Sequence, residues 1–178
     1  MTRTSFCAAV AALGFASPAF AQDAAPAAAL APTGPRVEAI VGYDNVSTDG
    51  FDMDGVMFGI GAGYDFAVAN TVSLGLDVEA SDASTSEDGV SAGRDLYAGA
   101  RASFALSPRA NLYVKAGYTN GRVKVSGFGG ENGDGVRLGA GAQFTITGKA
   151  YVGAEYRYSN YESDVERHQV ALTLGTRF

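Results

Sequence analysis

Eight stretches of this 178-residue chain alternate apolar and polar positions with a period of two, and the last of them ends on an aromatic. That last run is Val170-Ala171-Leu172-Thr173-Leu174-Gly175-Thr176-Arg177-Phe178, with even positions apolar or Thr and odd positions small or polar. Period two is the repeat of a β-strand, whose successive side chains point to opposite faces. The alternation predicts strands at 36–45, 55–66, 71–81, 94–106, 110–123, 135–146, 150–160 and 166–178. One face is apolar in every strand, as in Val37, Ala39, Val41 and Tyr43, or Leu112, Val114, Ala116 and Tyr118. The other carries glycine and ions, as in Gly59, Gly61, Gly63 and Asp65, or Glu155 and Arg157.

Alternation alone leaves the choice of outer face open, because a soluble barrel would turn its apolar set inward. Three features favour the opposite choice. Glycine weakens a strand unless space is short, and the polar face is rich in it. Aromatics of the apolar face gather near strand ends, with Tyr43, Phe58, Tyr118, Tyr156 and Tyr158 toward one rim. Tyr64, Phe66, Phe104, Phe144 and Phe178 gather toward the other, as in the two interfacial girdles of a membrane barrel. Connections alternate between tight (67–70, 107–109, 147–149) and longer polar segments (46–54, 82–93, 124–134, 161–165), the rhythm of short periplasmic turns and longer outer loops. The predicted fold class is all-β, an eight-stranded antiparallel up-and-down transmembrane β-barrel.

The N-terminus agrees. Residues 1–21 have a basic start at Arg3, an apolar stretch from Ser5 to Ala16 and the small-x-small site Ala19-Phe20-Ala21, the layout of a secretory signal peptide. Residues 22–35, rich in Ala and Pro, read as a periplasmic tether, and 36–178 as one barrel domain with no second domain after it. The single cysteine, Cys7, lies inside the apolar stretch of the signal, so no disulfide or thiol chemistry is expected. A net charge of −6 argues against a nucleic-acid partner.

Parity also predicts contacts. The inward set holds Glu38, Asp44, Asp65, Asp77, Glu79, Asp95 and Glu155 against Arg101, Lys115, Arg137, Arg157, Arg167 and Arg177. Charges in a confined interior need partners, since desolvation otherwise costs several kcal/mol. Asp77, Glu79, Arg101, Lys115, Arg137, Glu155 and Arg157 are the candidate lumen network, read either as a salt-bridge plug or as the lining of a narrow ion passage. Turn lengths place Glu155 opposite Gly141, Arg157 opposite Gly139, Asp77 opposite Gly61, Glu79 opposite Gly59, and Ile146 opposite Ala150 across a three-residue turn. A three-residue turn at 107–109 sets Arg101 against Lys115, a like-charge pair that repels unless Asp77 and Glu79 compensate.

Acidic residues of the long segments (Asp49, Asp52, Asp54, Asp82, Glu87, Asp88, Glu131, Asp134, Glu162, Asp164) read as a solvated rim. Asp52-Met53-Asp54-Gly55 lacks the spacing and terminal Glu of a calcium loop, so no metal site is assigned. The glycine runs at 59–63 and 127–130 precede no helix, which removes a nucleotide reading. No cofactor and no catalytic residue are expected.

Across 36–178 the chain resembles the small eight-stranded outer-membrane protein family of the outer-membrane protein A and X and opacity-protein type. The resemblance rests on the strand pattern, the turn and loop rhythm and the ending Leu172 to Phe178. It implies residence in a Gram-negative outer membrane, with lipid and lipopolysaccharide around the barrel. The terminal Phe178 is similar to the signal read by the barrel assembly machinery, an implied partner. It further implies a structural, adhesive or minor transport role, with extracellular ligands reached through the outer loops. A peptidoglycan-binding domain like that of outer-membrane protein A is not expected. Barrel enzymes that trim lipid A place a nucleophilic Ser two residues after a rim His; after His168 that position is Val170. A lipid-modifying enzyme is therefore the third reading, behind a structural or surface-interacting barrel and a narrow channel for ions or very small solutes.

Overall fold

The computed structural model describes residues 30–48, 51–84, 86–87, 90–125, 129–162 and 165–178. The expected signal peptide at 1–21, most of the expected tether at 22–35, and Asp49, Asp88 and Asp164 lie outside these residues. The strands are β1 (Gly34–Thr48), β2 (Phe51–Ala69), β3 (Val72–Ala83), the two-residue β4 (Ser86–Glu87), β5 (Val90–Ala105), β6 (Ala110–Val125), β7 (Gly129–Thr147), β8 (Ala150–Tyr161) and β9 (Val165–Arg177). All pairings are antiparallel between sequence neighbours, and β1–β9 and β3–β5 pairing closes the sheet into an eight-stranded barrel that β4 extends at its upper edge.

The register defines the bore. Val165 pairs with Tyr161, and successive cross-strand partners are Gly135, Thr119, Tyr97, Glu79, Gly61 and Glu38. Glu38 then pairs with Gly175, ten residues from the start on the same strand. That stagger tilts the strands by roughly 40–45° and, with eight strands, leaves an interior just wide enough for side chains.

Exposure is inverted relative to a soluble protein. Ile60 is 68% exposed and Leu76 63%, whereas Arg101 and Arg157 are 1% and 0% exposed. A continuous apolar exterior around a charged interior is stable only where hydrocarbon is the solvent. Both aromatic girdles stand on this exterior: Tyr43, Phe58, Tyr118 and Tyr156 at the outer rim, and Tyr64, Phe66, Phe104, Phe144 and Phe178 at the inner one.

Three sequence expectations need correction. Much of 46–54 and 124–134 is strand rather than loop, because the ladder runs on through Val46↔Met53 and Thr48↔Phe51 and through Asn120↔Asp134 to Val125↔Gly129. Polar side chains hide such extensions from a hydropathy reading, since above the membrane neither face needs to be apolar. Asp77 faces Gly63 and Glu79 faces Gly61, two residues from the expected register. The cause is that β2 runs to Ala69, with a bulge at Val68 and a turn of only Asn70-Thr71. The same device replaces the expected turn at 147–149: Ile146 bulges, Thr147 pairs with Ala150, and Gly148 takes a left-handed φ of 48° that glycine adopts without strain. A bulge plus a two-residue turn preserves the parity of a three-residue turn, so the faces were unaffected. Glu155 does face Gly141, Arg157 faces Gly139 and Arg101 faces Lys115. At the turn between β5 and β6 the Ser107 Oγ accepts from the Arg109 and Ala110 amides.

Ala140 lies on the exterior between Val114 and Tyr156, midway between the girdles. Ala140→Arg should lower folding stability in bilayers by ~2–4 kcal/mol, measured by denaturant titration of heat-modifiable gel mobility; unchanged stability would reverse the assignment of faces.

Candidate functional site

Among the described residues the interior holds seven carboxylates and seven cations: the thirteen expected from parity and Arg36, which is 1% exposed. Glycines on adjoining strands make room for them. A Cβ at Gly61 would lie 3.0 Å from the Glu38 Cγ, and one at Gly139 would lie 3.0 Å from the Lys115 Cε. Inward tyrosines use the same device: Tyr113 leans over its cross-strand partner Gly141, and Tyr151 over Gly175.

The charges form three linked groups. Nearest the periplasm, Arg36 bridges Asp65, Asp77 and Glu38. Arg177 joins Asp65 and donates to Gln143 Oε1 at 2.9 Å. Arg101 donates to Asp77 Oδ2 at 2.9 Å and lies 3.8 Å from Glu38. In the middle, Lys115 Nζ sits between Glu79 Oε1 at 2.5 Å and Glu155 Oε1 at 2.7 Å. Arg157 contacts the same two carboxylates at 3.0 Å and 2.5 Å. Toward the outside, Asp95 accepts from Thr119, Tyr161, Arg137 and Arg167, and Arg167 reaches both oxygens of Asp44 at 2.6 Å and 2.8 Å.

Two links make these groups one network. Arg137 approaches Glu79 at 4.0 Å from above. Tyr113 donates to Glu155 Oε2 at 2.6 Å while the Arg101 guanidinium stands 4.0 Å over its ring. The like-charge neighbours Arg101 and Lys115 are thereby separated in function: one turns to Asp77, the other to Glu79 and Glu155.

All seven candidate network residues, Asp77, Glu79, Arg101, Lys115, Arg137, Glu155 and Arg157, are buried in this interior. Sequence reasoning missed Arg36, the tyrosines Tyr97, Tyr113, Tyr151 and Tyr161, and an inward apolar cluster of Ile40, Met57 and Ala171 on the β1, β2 and β9 wall. Strand parity points them inward except Tyr161, which falls in the expected 161–165 connection; the inventory of the polar face counted glycine and charge, and passed over Arg36 at the first position of its strand.

His168 stands outside, its Nδ1 2.7 Å from the Tyr156 hydroxyl, whereas Ser159 is buried and accepts from Arg137 Nε at 2.8 Å. The barrel wall separates the two, and Val170 lies exposed below. The outer rim carries a recurring unit in which a carboxylate is held by a Tyr or Asn of the preceding strand. Asp54 accepts from Asn45 at 2.7 Å and from Tyr43, Asp134 from Tyr118 and Asn120 at 2.5 Å and 2.6 Å, and Glu166 from Tyr158 at 2.8 Å. Among the described residues no set of three His, Cys, Asp or Glu side chains converges as a metal site would require.

A sequence model of the outer membrane protein beta-barrel domain matches residues 7–178. No curated protein matches the chain. Among solved structures, Neisserial surface protein A aligns with a TM-score of 0.63 at 18% identity, covering 82% of this chain and 98% of that one. Ail, the attachment invasion locus protein of Yersinia pestis, aligns with a TM-score of 0.61 at 21% identity, over 82% and 99%. The N-terminal barrel domain of Pseudomonas aeruginosa OprF gives 0.50 at 18% identity, over 83% and 100%. At these identities the likeness concerns the fold.

Lys115→Met would leave Glu79 and Glu155 facing each other with only Arg157 between them. The expected loss is ~3–5 kcal/mol, the scale for removing one partner of a buried pair, read as a lower urea midpoint for unfolding. Adding Glu155→Gln should recover part of that loss.

Proposed function

The chain belongs to the outer membrane protein beta-barrel domain family and resides in the Gram-negative outer membrane, and from that premise we propose that it is a structural and surface-interacting barrel whose interior is a plug rather than a passage. The observation that carries this reading is the continuous network from Asp44 to Arg177, ion pairs joined at one point through Tyr113, with equal numbers of acids and bases among the described residues. A conducting pore needs a water column and charges free to meet a passing ion. Here every inward acid and base of the network has a partner within 4.0 Å. The reading assigns no catalysis: Ser159 and His168 stand on opposite sides of the wall. Interaction then falls to the outer hairpins and rim, the parts that meet the surroundings of the cell.

Phe178 is proposed as the assembly signal for the barrel machinery. Its ring is 64% exposed at the inner rim while its amide donates to the Pro35 carbonyl, so the ring is free for recognition and the backbone is tied to the closing strand. Deleting Phe178 should lower outer-membrane levels several-fold without affecting export, measured by fractionation; unchanged levels would remove the assignment.

Single-channel recording in planar bilayers tests the plug, with gel mobility as the folding check. A folded wild-type barrel should be silent, and Arg101→Gln should lower stability rather than alter a steady current. A reproducible conductance that changes in Arg101→Gln would replace the plug with a narrow ion channel.

A further inference from the structure

Three of the strands that run outward carry the same short signature where they pass the outer girdle. It reads Tyr43-Asp44-Asn45 on β1, Tyr118-Thr119-Asn120 on β6 and Tyr158-Ser159-Asn160 on β8. A period of two puts each tyrosine and its asparagine on one face, the exterior. The residue between them, Asp44, Thr119 or Ser159, is buried inside. In each case the following strand places a carboxylate directly opposite the asparagine: Asn45↔Asp54, Asn120↔Asp134 and Asn160↔Glu166. The carboxylate is then the diagonal neighbour of the tyrosine, a separation that an aromatic side chain spans.

The hydrogen bonds follow this placement. Asp54 accepts from Asn45 Nδ2 at 2.7 Å and from the Tyr43 hydroxyl. Asp134 Oδ1 accepts from both Tyr118 and Asn120. In the third unit the longer Glu166 accepts from Tyr158, whose hydroxyl oxygen accepts in turn from Asn160 Nδ2 at 3.4 Å. The remaining outward strand, β3, ends on Ala80-Ser81-Asp82-Ala83, without tyrosine or asparagine, and its ladder with β5 ends at Ser81↔Asp95.

These units stand where the constraint that fixes register elsewhere stops. Within the membrane a slip of one residue exchanges lipid-facing and inward side chains, so the alternation itself holds each strand. Above the girdle both faces are polar, and register is weakly specified in such strands. The ladders nevertheless continue, from Asn45↔Asp54 to Thr48↔Phe51 and from Asn120↔Asp134 to Val125↔Gly129. The β6–β7 arm pairs Gly121 with Gly133, Lys124 with Gly130 and Val125 with Gly129, so much of its ladder lacks a side chain on one strand. A tyrosine, an asparagine and an opposed carboxylate are satisfied in one register only. A slip of one residue turns the carboxylate to the inner face, and a slip of two moves it off the asparagine.

We propose that the three units are register locks, each fixing its hairpin at the base of the part that stands above the membrane. The inference is independent of what the hairpins meet. Asp54 and Asp134 accordingly serve the ladder rather than a freely solvated acidic rim.

The test is amide hydrogen exchange of the chain refolded in lipid nanodiscs, with folding checked by heat-modifiable mobility. In Asp134→Ala the amides of 121–125 and 129–133 should exchange about three- to tenfold faster than in wild type. Those of 112–118 and 136–142, below the lock, should keep their wild-type rates, as should the β3–β5 pairs. Cross-strand NMR contacts above the lock, such as Gly121 with Gly133, should be joined by contacts of shifted pairs. Tyr118→Phe and Asn120→Ala each remove one donor and should give smaller increases, and Asn120→Ala should add nothing to Asp134→Ala. Asp134→Asn keeps an acceptor for both donors and should recover most of the protection. Wild-type exchange in Asp134→Ala, Tyr118→Phe and Asn120→Ala alike would overturn the proposal and leave the units as surface hydrogen bonds. Faster exchange throughout the barrel would also overturn it, because the loss would then be one of general stability.

Discussion

The narrowness of the bore governs the structure. Eight strands closed with a ten-residue stagger leave a cylinder that side chains fill. Within that width many inward positions sort into glycine against something large, and the large pairs that do face each other, such as Arg101 with Lys115 and Arg157 with Gln169, turn toward different partners. Gly63 faces Asp77, Gly61 faces Glu79, Gly139 faces Arg157, Gly141 faces both Tyr113 and Glu155, and Gly175 faces Glu38 and Tyr151. Glycine weakens an isolated strand, but here it is the condition for a charged or aromatic neighbour to fit.

The same narrowness makes the electrostatics cooperative. A buried charge left unpaired costs far more than a surface one, and a pair leaves unmet hydrogen-bonding capacity unless further groups supply it. The interior meets part of this by sharing, while Asp65 Oδ1 and Arg101 Nη1 keep no hydrogen-bond partner among the described residues. Glu79 serves Lys115, Arg157 and Arg137, while Asp95 serves two arginines and two hydroxyls. Only Arg36–Glu38 on β1 and Glu155–Arg157 on β8 pair within one strand; the other ion pairs of the interior cross strands, and Asp44 and Arg167 come from β1 and β9. The network consequently rewards closure of the barrel rather than formation of any single hairpin. It also ties the interior to the exterior, because slipping one strand by a single residue would turn its charges into lipid and its leucines into the bore.

Above the membrane the rules relax, and the rim shows it. Strands continue there with polar residues on both faces, carboxylates are steadied by tyrosine and asparagine, and β5 bulges between Ala92 and Asp95. Identity among the fold's relatives is low, as expected where inward size and outward hydropathy are constrained at each position but many residues satisfy the constraint.

The alternation of residues by itself determined the strand count and which side chains share a face, because a period of two leaves each side chain only two directions; the glycines of the polar face, the aromatics at strand ends and the turn rhythm then set which face meets lipid, and with it the inward membership of the seven network residues. It also placed Glu155 against Gly141 and Arg101 against Lys115, where turn parity was right. Partnership was decided only by the closed structure. The bulges at Val68 and Ile146 lengthen one strand without changing its faces, so the shift of Asp77 from Gly61 to Gly63 left no mark in the alternation. The meeting of Asp44 with Arg167 and of Arg36 with Asp77 depends on strand stagger and bulge geometry, which are properties of the closed sheet rather than of any one strand.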